Sequence, residues 1–146
     1  MTCTSLRKLS FTITHSLSQR IGDFSRLERH AALLDLTIKA ELITGHDIEL
    51  ILHQCQQLRR LIMNTCEEPV LDVIIRQADN LEILGYNADH TIEGLKTTSI
   101  TGSIKGLRVL HTNNGVTTIS AKKILPLIYK NKATLEALYA TISTAT

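Results

Sequence analysis

The fold prediction rests on residues 25–84, which read SRLERHAALLDLTIKAELITGHDIELILHQCQQLRRLIMNTCEEPVLDVIIRQADNLEIL. Ser25 is followed three residues later by Glu28, a capping-box pattern that marks the first turn of a helix. Apolar residues then recur at helical spacing until Gly45, a residue type that commonly ends a helix. These apolar residues are Leu27, Ala31, Leu34, Ile38 and Leu42. The pattern predicts a first long helix.

A second apolar stripe follows Gly45 directly, and His46 or Asp47 is placed to open its helix. The stripe consists of Ile48, Ile51, Leu52, Cys55, Leu58 and Ile62. Because only a few residues connect the two stripes, the two helices are expected to fold back on each other. The sequence therefore predicts an antiparallel helical hairpin over residues 25–64.

Residues 67–84 predict a third helix, which begins with two acidic residues and a proline. Glu67 and Glu68 suit the positive end of a helix, and Pro69 fits the first turn. The apolar residues of this segment cover more than one helical face. This central helix should therefore be buried by neighbours on two sides, or by one neighbour and a second subunit. Gly85 is expected to end it.

The pattern changes after Gly85, where a short helix over residues 87–96 and a loop over residues 97–106 are expected. Two β-favouring runs then flank Asn114 and Gly115, a strong hairpin signal, and predict a β-hairpin over residues 107–119. Ser120 can cap a C-terminal helical region that Pro126 bends or breaks. The expected fold class is mostly α, as one compact helical domain spanning residues 1–146.

The composition is that of an ordinary globular chain, with 146 residues, 43% of them apolar and 21% charged. One core is expected at this length, and we recognise no internal repeat. No apolar run approaches the roughly 18 residues of a membrane-spanning helix, so a soluble protein with no membrane partner is expected. Aromatic residues make up only 3%, which leaves few rings for stacking on single-stranded nucleic acid.

The three cysteines, Cys3, Cys55 and Cys66, match no metal or redox spacing, which favours a reducing, cytoplasmic location. Residues 1–22 contain no acidic residue, a feature of organelle transit peptides. Their leucines and isoleucines also recur at helical spacing. We favour a first helix docked on the core over a targeting segment.

No catalytic, cofactor-binding or metal motif is present, and the six histidines fall on separate predicted elements. Glu49 and His53 lie one helical turn apart, but no third metal ligand accompanies them. His53 and Cys55 are two residues apart on a predicted helix, so their side chains point to different faces and cannot form a nucleophile–base pair. The protein is predicted not to be an enzyme and to hold no cofactor.

Charge is strongly segregated along the chain. Residues 61–100 hold two basic and seven acidic side chains, whereas residues 101–146 hold six basic and one acidic. The six basic residues of the C-terminal third form the candidate binding surface. They are Lys105, Arg108, Lys122, Lys123, Lys130 and Lys132.

Three hypotheses account for this basic segment. The first is a DNA-binding regulator of winged helix-turn-helix type, with the predicted hairpin as wing and the basic residues on phosphates. Its recognition helix would carry Asp89 and Glu93, which phosphates repel. In the second, the basic segment complements the acidic third helix, within the chain or across a homodimer. In the third, it docks an acidic protein partner.

We favour a small regulatory or protein–protein interaction protein that acts by binding and associates with itself. The uncovered central helix and the segregated charge are the features behind this prediction. DNA-binding regulation through the basic C-terminal third is the alternative.

Overall fold

The computed structural model describes residues 6–13, 32–88, 105–112 and 119–143. Over these residues the strands and helices alternate along the chain. The first elements are the strands β1 (Lys8–Thr12) and β2 (Asp35–Lys39), the helix α1 (Gly45–Gln54), the strand β3 (Arg60–Met63), the helix α2 (Pro69–Gln77) and the strand β4 (Ile83–Tyr86). Then follow the strands β5 (Val109–His111) and β6 (Ile119–Ser120), the helix α3 (Ala121–Lys130), and the strands β7 (Ala137–Tyr139) and β8 (Ile142–Ser143).

The fold class is α/β, so the prediction of a mostly α protein is wrong. Six strands form one parallel sheet in the order β1-β2-β3-β4-β5-β7. The predicted helical hairpin at 25–64 contains, in its described part, two of these strands and the helix between them. The predicted central helix at 67–84 is a helix only as far as Gln77, because the chain turns there and enters β4. Gly85 does not end a helix but lies within that strand.

The order of the strands follows the order of the chain, so each strand pairs with the preceding and following sheet strand. Every pairing between neighbours is parallel, and leucines align across it in one column. The column consists of Leu9, Leu36, Leu61, Leu84, Leu110 and Leu138. A helix or a long connection leads from each strand to the next, which is the arrangement of a solenoid of stacked units.

The solenoid reflects an internal repeat, contrary to the expectation of none. Each leucine of the column is preceded three residues earlier by a further leucine, and the six Leu-x-x-Leu pairs recur every 23 to 28 residues. The preceding leucines are Leu6, Leu33, Leu58, Leu81, Leu107 and Leu135. The second leucine of each pair lies in or beside a strand, and the first packs in or against the same core.

Side-chain capping marks the start of α1 but not that of α3, because Ser120 precedes α3 without the capping hydrogen bond that the sequence predicts. The Thr44 side chain accepts a hydrogen bond from the Asp47 N–H, and the Asp47 carboxylate accepts one from the Thr44 N–H, which completes a capping box for α1. Pro69 is the first residue of α2, as the sequence predicts. Pro126 lies inside α3, which continues through it from Ala121 to Lys130.

The two faces of the sheet are packed differently. The leucine column and the side chains of α1, α2 and α3 form the main core on one face. On the opposite face, Ile62, Ile83 and Ala88 form a second, smaller buried cluster. Because β3 and β4 are buried on both faces, their side chains show no alternation of apolar and polar residues.

Two asparagines bond neighbouring units together beyond the sheet. Asn64 follows β3, and its Oδ1 accepts a hydrogen bond of 3.0 Å from the Ala40 N–H. Asn87 follows β4, and its Oδ1 accepts one of 2.6 Å from the Cys66 N–H. Each side chain therefore satisfies a backbone donor of the preceding unit, which would otherwise be left without a partner as the strand ends.

Asn87 also adopts a positive φ of 52°. The residue can therefore contribute to stability in two ways, through its side-chain hydrogen bond and through its tolerance of the left-handed conformation. Asn87→Gly keeps the backbone conformation but removes the acceptor of the Cys66 N–H, and we expect a loss of about 1–2 kcal/mol in the free energy of unfolding. Asn87→Ala should cost about 1 kcal/mol more because alanine disfavours the left-handed region. Urea denaturation of both variants measures this difference. Equal losses would show that the backbone conformation contributes nothing.

The remaining predicted elements also differ from the structure. In the segment of the predicted hairpin at 107–119, β5 pairs in parallel with β4 and β7, and β6 pairs in parallel with β8. The apolar spacing of these short runs does not determine the partner strand, and the turn itself lies outside the described residues. The C-terminal helical region is a helix only through α3, and then returns to the sheet as β7.

The predicted N-terminal helix is a strand where the structure describes it, at β1. The rest of that prediction lies outside the described residues, as do the loop and most of the short helix expected between 87 and 106. The central helix was also expected to leave one face uncovered. Its helical part, α2, instead packs against both α1 and α3.

Candidate interaction surface at the C-terminal repeat

The basic residues predicted as a binding surface fall into two groups, and Arg108 belongs to the paired one. Its Nη2 lies 2.7 Å from the Glu136 Oε2, and its Nε donates to the Glu136 Oε1 at 3.1 Å. The hydrogen bond from Arg108 lowers the pKa of the Glu136 carboxyl group. Arg108 precedes β5 and Glu136 precedes β7, so the pair joins two adjacent units.

Lys123 and Lys130 contact acidic residues that flank α2. The Lys123 Nζ lies 4.0 Å from the Glu68 Oε2, and the Lys130 Nζ lies 2.9 Å from the Asp79 Oδ1. Lys130 also donates to the carbonyl oxygen of Ile75. The acidic segment of the sequence is therefore partly neutralised by the basic one inside a single chain, as the second hypothesis describes.

Lys105, Lys122 and Lys132 form the other group. All three side chains are exposed, and none of them has an acidic partner within the part of the chain that the structure describes. Only these three of the six predicted residues have charges left for an external partner.

The contacts of α3 define two different sides of this helix. Lys123 and Lys130 are seven residues apart, about two turns, so both side chains lie on the side next to α2. Leu125 lies about 200° around the helix from Lys123, on the side away from α2. Leu125 is 44% exposed and Tyr129 is 69% exposed. The side of α3 away from the preceding unit is therefore apolar and open.

The leucine column shows the same asymmetry at the last strand. Leu36, Leu61, Leu84 and Leu110 are completely buried, whereas Leu138 is 40% exposed. An inner column leucine is covered by the units on both sides of it, and among the described residues β7 has a neighbouring strand on one side only. The exposure of Leu138 is thus a direct consequence of its position on the end strand.

These exposed apolar residues define what we call the terminal surface, at the C-terminal end of the solenoid. It consists of Leu125, Tyr129, Leu138, Tyr139 and Ile142. Five of the six exposed large apolar side chains of the described residues belong to it, and the sixth is Leu42. Exposed apolar residues concentrated at one end of a molecule are typical of a protein-binding site.

From β3 to β7, charged residues alternate in sign along the edge of the sheet where the strands begin, whereas the uncharged Leu34 holds the corresponding position before β2. Arg59, Glu82, Arg108 and Glu136 each precede a strand, and backbone hydrogen bonds connect them in this order. The Glu82 and Glu136 carboxylates both stabilise the charge of Arg108 and raise its pKa. Glu136 is the last charge of this ladder, and its side chain is 60% exposed.

Neither of the two described cysteines has the properties of a nucleophile. Cys55 and Cys66 are buried, with no disulfide bond. Burial raises the pKa of the Cys55 thiol to about 11 and that of Cys66 to about 12, so both stay protonated near neutral pH. The thiol of Cys55 lies just after α1, and that of Cys66 just after β3, where both pack as small apolar groups.

Two clefts open between the ends of the helices. One of about 200 Å³ lies between the C-terminal ends of α2 and α3, where Lys130 and Asn131 are engaged within the chain and Lys105 has no acidic partner among the described residues. The other, of about 330 Å³, lies between the C-terminal ends of α1 and α2. His53 lines it together with amide side chains and Asp79, a set without an activated nucleophile.

Searches for other kinds of site give no candidate among the described residues. No group of three or more histidine, cysteine or acidic side chains there is placed to hold a metal ion. No helix there is long and apolar enough to cross a membrane.

The predicted basic residues and the apolar residues of the terminal surface lie in the same C-terminal third of the chain. The prediction selected the lysines and arginine, of which three are paired internally, and overlooked Leu125, Tyr129 and Leu138 as surface residues. The missed signal was the Leu-x-x-Leu repeat, which identifies Leu138 as the last member of the column. Comparisons with protein-family models, curated proteins and solved structures find no match for this chain.

Proposed function

We propose that this chain is a non-enzymatic interaction protein, a solenoid of leucine-rich-repeat type that binds other proteins and associates with itself. Support for the repeat type comes from one short strand per 23 to 28 residues and from the Leu-x-x-Leu pattern in each unit. Each unit buries its apolar face against the next unit. The exposed apolar face of the last unit in a stack therefore needs a capping segment or a partner.

The observation that carries the proposal is the exposure of Leu138. Its four inner counterparts are completely buried, yet Leu138 is 40% exposed, together with two apolar side chains of α3 that face the same end. Burial of such side chains on association contributes roughly 25 cal/mol per Å² of apolar surface. Covering the terminal surface with a partner would therefore contribute the most free energy of association.

The charges around the terminal surface suit an acidic partner as a second class of ligand. Lys122 is on α3 and Lys132 follows it directly, and both are exposed. Cationic side chains beside an apolar surface steer association with an acidic protein. We also propose a cytoplasmic location, which the free buried thiols of Cys55 and Cys66 support.

DNA-binding regulation through the basic C-terminal third remains the untested alternative. Its winged-helix form needs an antiparallel wing, whereas the described strands of that region pair in parallel. Three of its six phosphate-binding candidates are already engaged with carboxylates. We therefore favour protein binding.

The experiment is to measure the molar mass of the chain by size-exclusion chromatography with light scattering over the micromolar range. We expect the wild type to self-associate, and Tyr129→Glu to shift the dissociation constant upward at least about tenfold, because a charge in an apolar interface loses its hydration. Leu42→Glu is the matched control, since Leu42 is equally an exposed apolar residue but lies outside the terminal surface. A wild type that stays monomeric throughout would contradict self-association.

A further inference from the structure

The strand at each end of the sheet leaves part of its backbone unpaired within the described residues. Ala137 donates to the Arg108 carbonyl and the Tyr139 carbonyl accepts from Thr112, so residues 137 and 139 face β5. Because alternate residues of a parallel strand bond to opposite sides, the N–H and C=O of Leu138 point to the open edge. We call this the C-edge.

The opposite end of the sheet has the complementary arrangement. The Arg7 carbonyl accepts from Asp35 and Ile13 donates to the Lys39 carbonyl, so the odd-numbered residues of β1 face β2. The backbone groups of Lys8 and Ser10 then point outward. We call this the N-edge. Its apolar side chains Leu6, Leu9, Phe11 and Ile13 are only partly buried, in contrast to the fully buried leucines of the inner units.

Three features of the C-edge match the N-edge of another copy. If β1 of a second copy continued the sheet in the same register, Leu9 would follow Leu138 and extend the leucine column by one unit. The outward backbone groups of Leu138 would then meet those of Lys8 and Ser10, with the alternation required by a parallel pairing. In the same register Glu136, which ends the charge ladder, would lie beside Arg7.

The charges at the two edges are therefore complementary. Glu136 is 60% exposed at the C-edge, and Arg7 and Lys8 are exposed at the N-edge. In the alternative contact, an antiparallel pairing of two β7 strands centred on Leu138, Glu136 would lie opposite Ala140 and would meet no cation of the second copy. The alternation of Arg59, Glu82, Arg108 and Glu136 is extended by Arg7 of the next copy only in the head-to-tail contact.

We propose that copies of this chain associate head to tail, with the C-edge strand β7 of one copy pairing in parallel with the N-edge strand β1 of the next. The proposal rests on the proposed function and specifies its partner surface. Such a contact is heterologous, so it leaves one open edge at each end of the assembly and adds further copies until a ring closes.

The test uses two edge variants of the full chain in sedimentation velocity. The C-edge variant carries Leu138→Glu, and the N-edge variant carries Arg7→Glu and Lys8→Glu, so the two altered edges are both acidic and repel each other. We expect each variant alone to be monomeric where the wild type forms dimers and larger species. An equimolar mixture should form a one-to-one dimer and nothing larger, because each variant retains the edge that the other lacks.

The outcomes distinguish the head-to-tail contact from the more general proposal that the chain associates with itself. An N-edge variant that associates as strongly as the wild type, with no mixed dimer, would overturn the head-to-tail contact and leave self-association through the terminal surface standing. A wild type that remains monomeric would overturn both. Circular dichroism and thermal unfolding of each variant establish that it is folded.

A charge exchange provides the second test, with variants confined to exposed side chains. Glu136→Arg and Arg7→Glu should each raise the dissociation constant about tenfold, because they place like charges side by side at the join. The chain that carries both should return to within about threefold of the wild type. Glu41→Arg, with the same change of charge at another exposed position, should have no such effect. Failure of the double variant to recover affinity would overturn the proposed register.

Discussion

Leu84→Ala is expected to lower the free energy of unfolding by about 3–5 kcal/mol, whereas Leu138→Ala should cost less than about 1 kcal/mol. Both residues belong to the same column of the sheet, and both lose the same atoms. Leu84 is completely buried, so its truncation leaves a cavity between units, while Leu138 is already 40% exposed. The position of a unit in the stack, rather than its sequence, determines the cost.

Urea denaturation measured at concentrations that keep the protein monomeric tests this comparison, with m-values checked for equal cooperativity. A second measurement at high concentration extends it, because association would cover Leu138. The loss caused by Leu138→Ala should then grow, while that of Leu84→Ala stays constant. Equal losses for the two variants in the monomer would show that Leu138 is covered within the single chain.

Gly106→Ala is expected to destabilise the protein by about 2–4 kcal/mol. Gly106 precedes β5 with a φ of 156°, and an added Cβ would lie 2.5 Å from the Thr134 Oγ1. Thr134 cannot withdraw freely, because its hydroxyl donates to the Leu107 carbonyl at 2.8 Å. The buried Asn131 Oδ1 accepts from the Leu107 N–H at 2.8 Å and lies 3.2 Å from the added Cβ.

Gly45→Ala is the matched control for this prediction. An added Cβ there would lie 3.3 Å from the Cβ of Pro69, close but not overlapping, and the residue is the first of α1. Alanine favours a helix more than glycine does, so the net change should stay within about 1 kcal/mol. Thermal and urea unfolding of both variants measure the difference. A loss at Gly106 no larger than at Gly45 would show that Thr134 and Asn131 rearrange at little cost.

The sequence predicts the helices well where capping chemistry is local. Pro69 begins α2 as expected, and α1 contains the first half of the second apolar stripe, with Ile48, Ile51 and Leu52 buried. These signals depend on neighbours within one or two turns, which a single sequence contains. The end of α2 at Gln77 is different, because the chain leaves the helix there to join a strand that is distant in sequence.

The strands β1 to β4 were predicted as helix, and for β3 and β4 the reason is that they are short and buried. β3 and β4 have four residues each and are buried on both faces, so no alternation distinguishes them from a helix. Leu58 and Leu61 are three residues apart, a spacing typical of a helix. Here Leu58 precedes β3 and Leu61 lies within it. Recurrence of the same spacing every 23 to 28 residues reveals the sheet, and so does the alternation of polar and apolar residues in β1 and β2, which the helical interpretation overlooked.

The apolar terminal surface was not foreseen from the sequence for a related reason. Charge can be counted along a chain, so the basic C-terminal third was easily recognised. Ion pairs within the fold cannot be counted in this way. Such pairs engage Arg108, Lys123 and Lys130 with carboxylates of the same chain, so their charges are not free for a partner. Exposure of Leu138 depends on the absence of a next strand in the sheet, which no local pattern encodes.

The alternation of charge along the strand starts constrains how this solenoid can change length in evolution. Arg59, Glu82, Arg108 and Glu136 are connected in order by backbone hydrogen bonds. Deleting the unit of β4 would set Arg59 against Arg108, and deleting that of β5 would set Glu82 against Glu136, whereas deleting both units preserves the alternation. Gene rearrangements that shift the repeat number by an even count are therefore the ones that this architecture tolerates best.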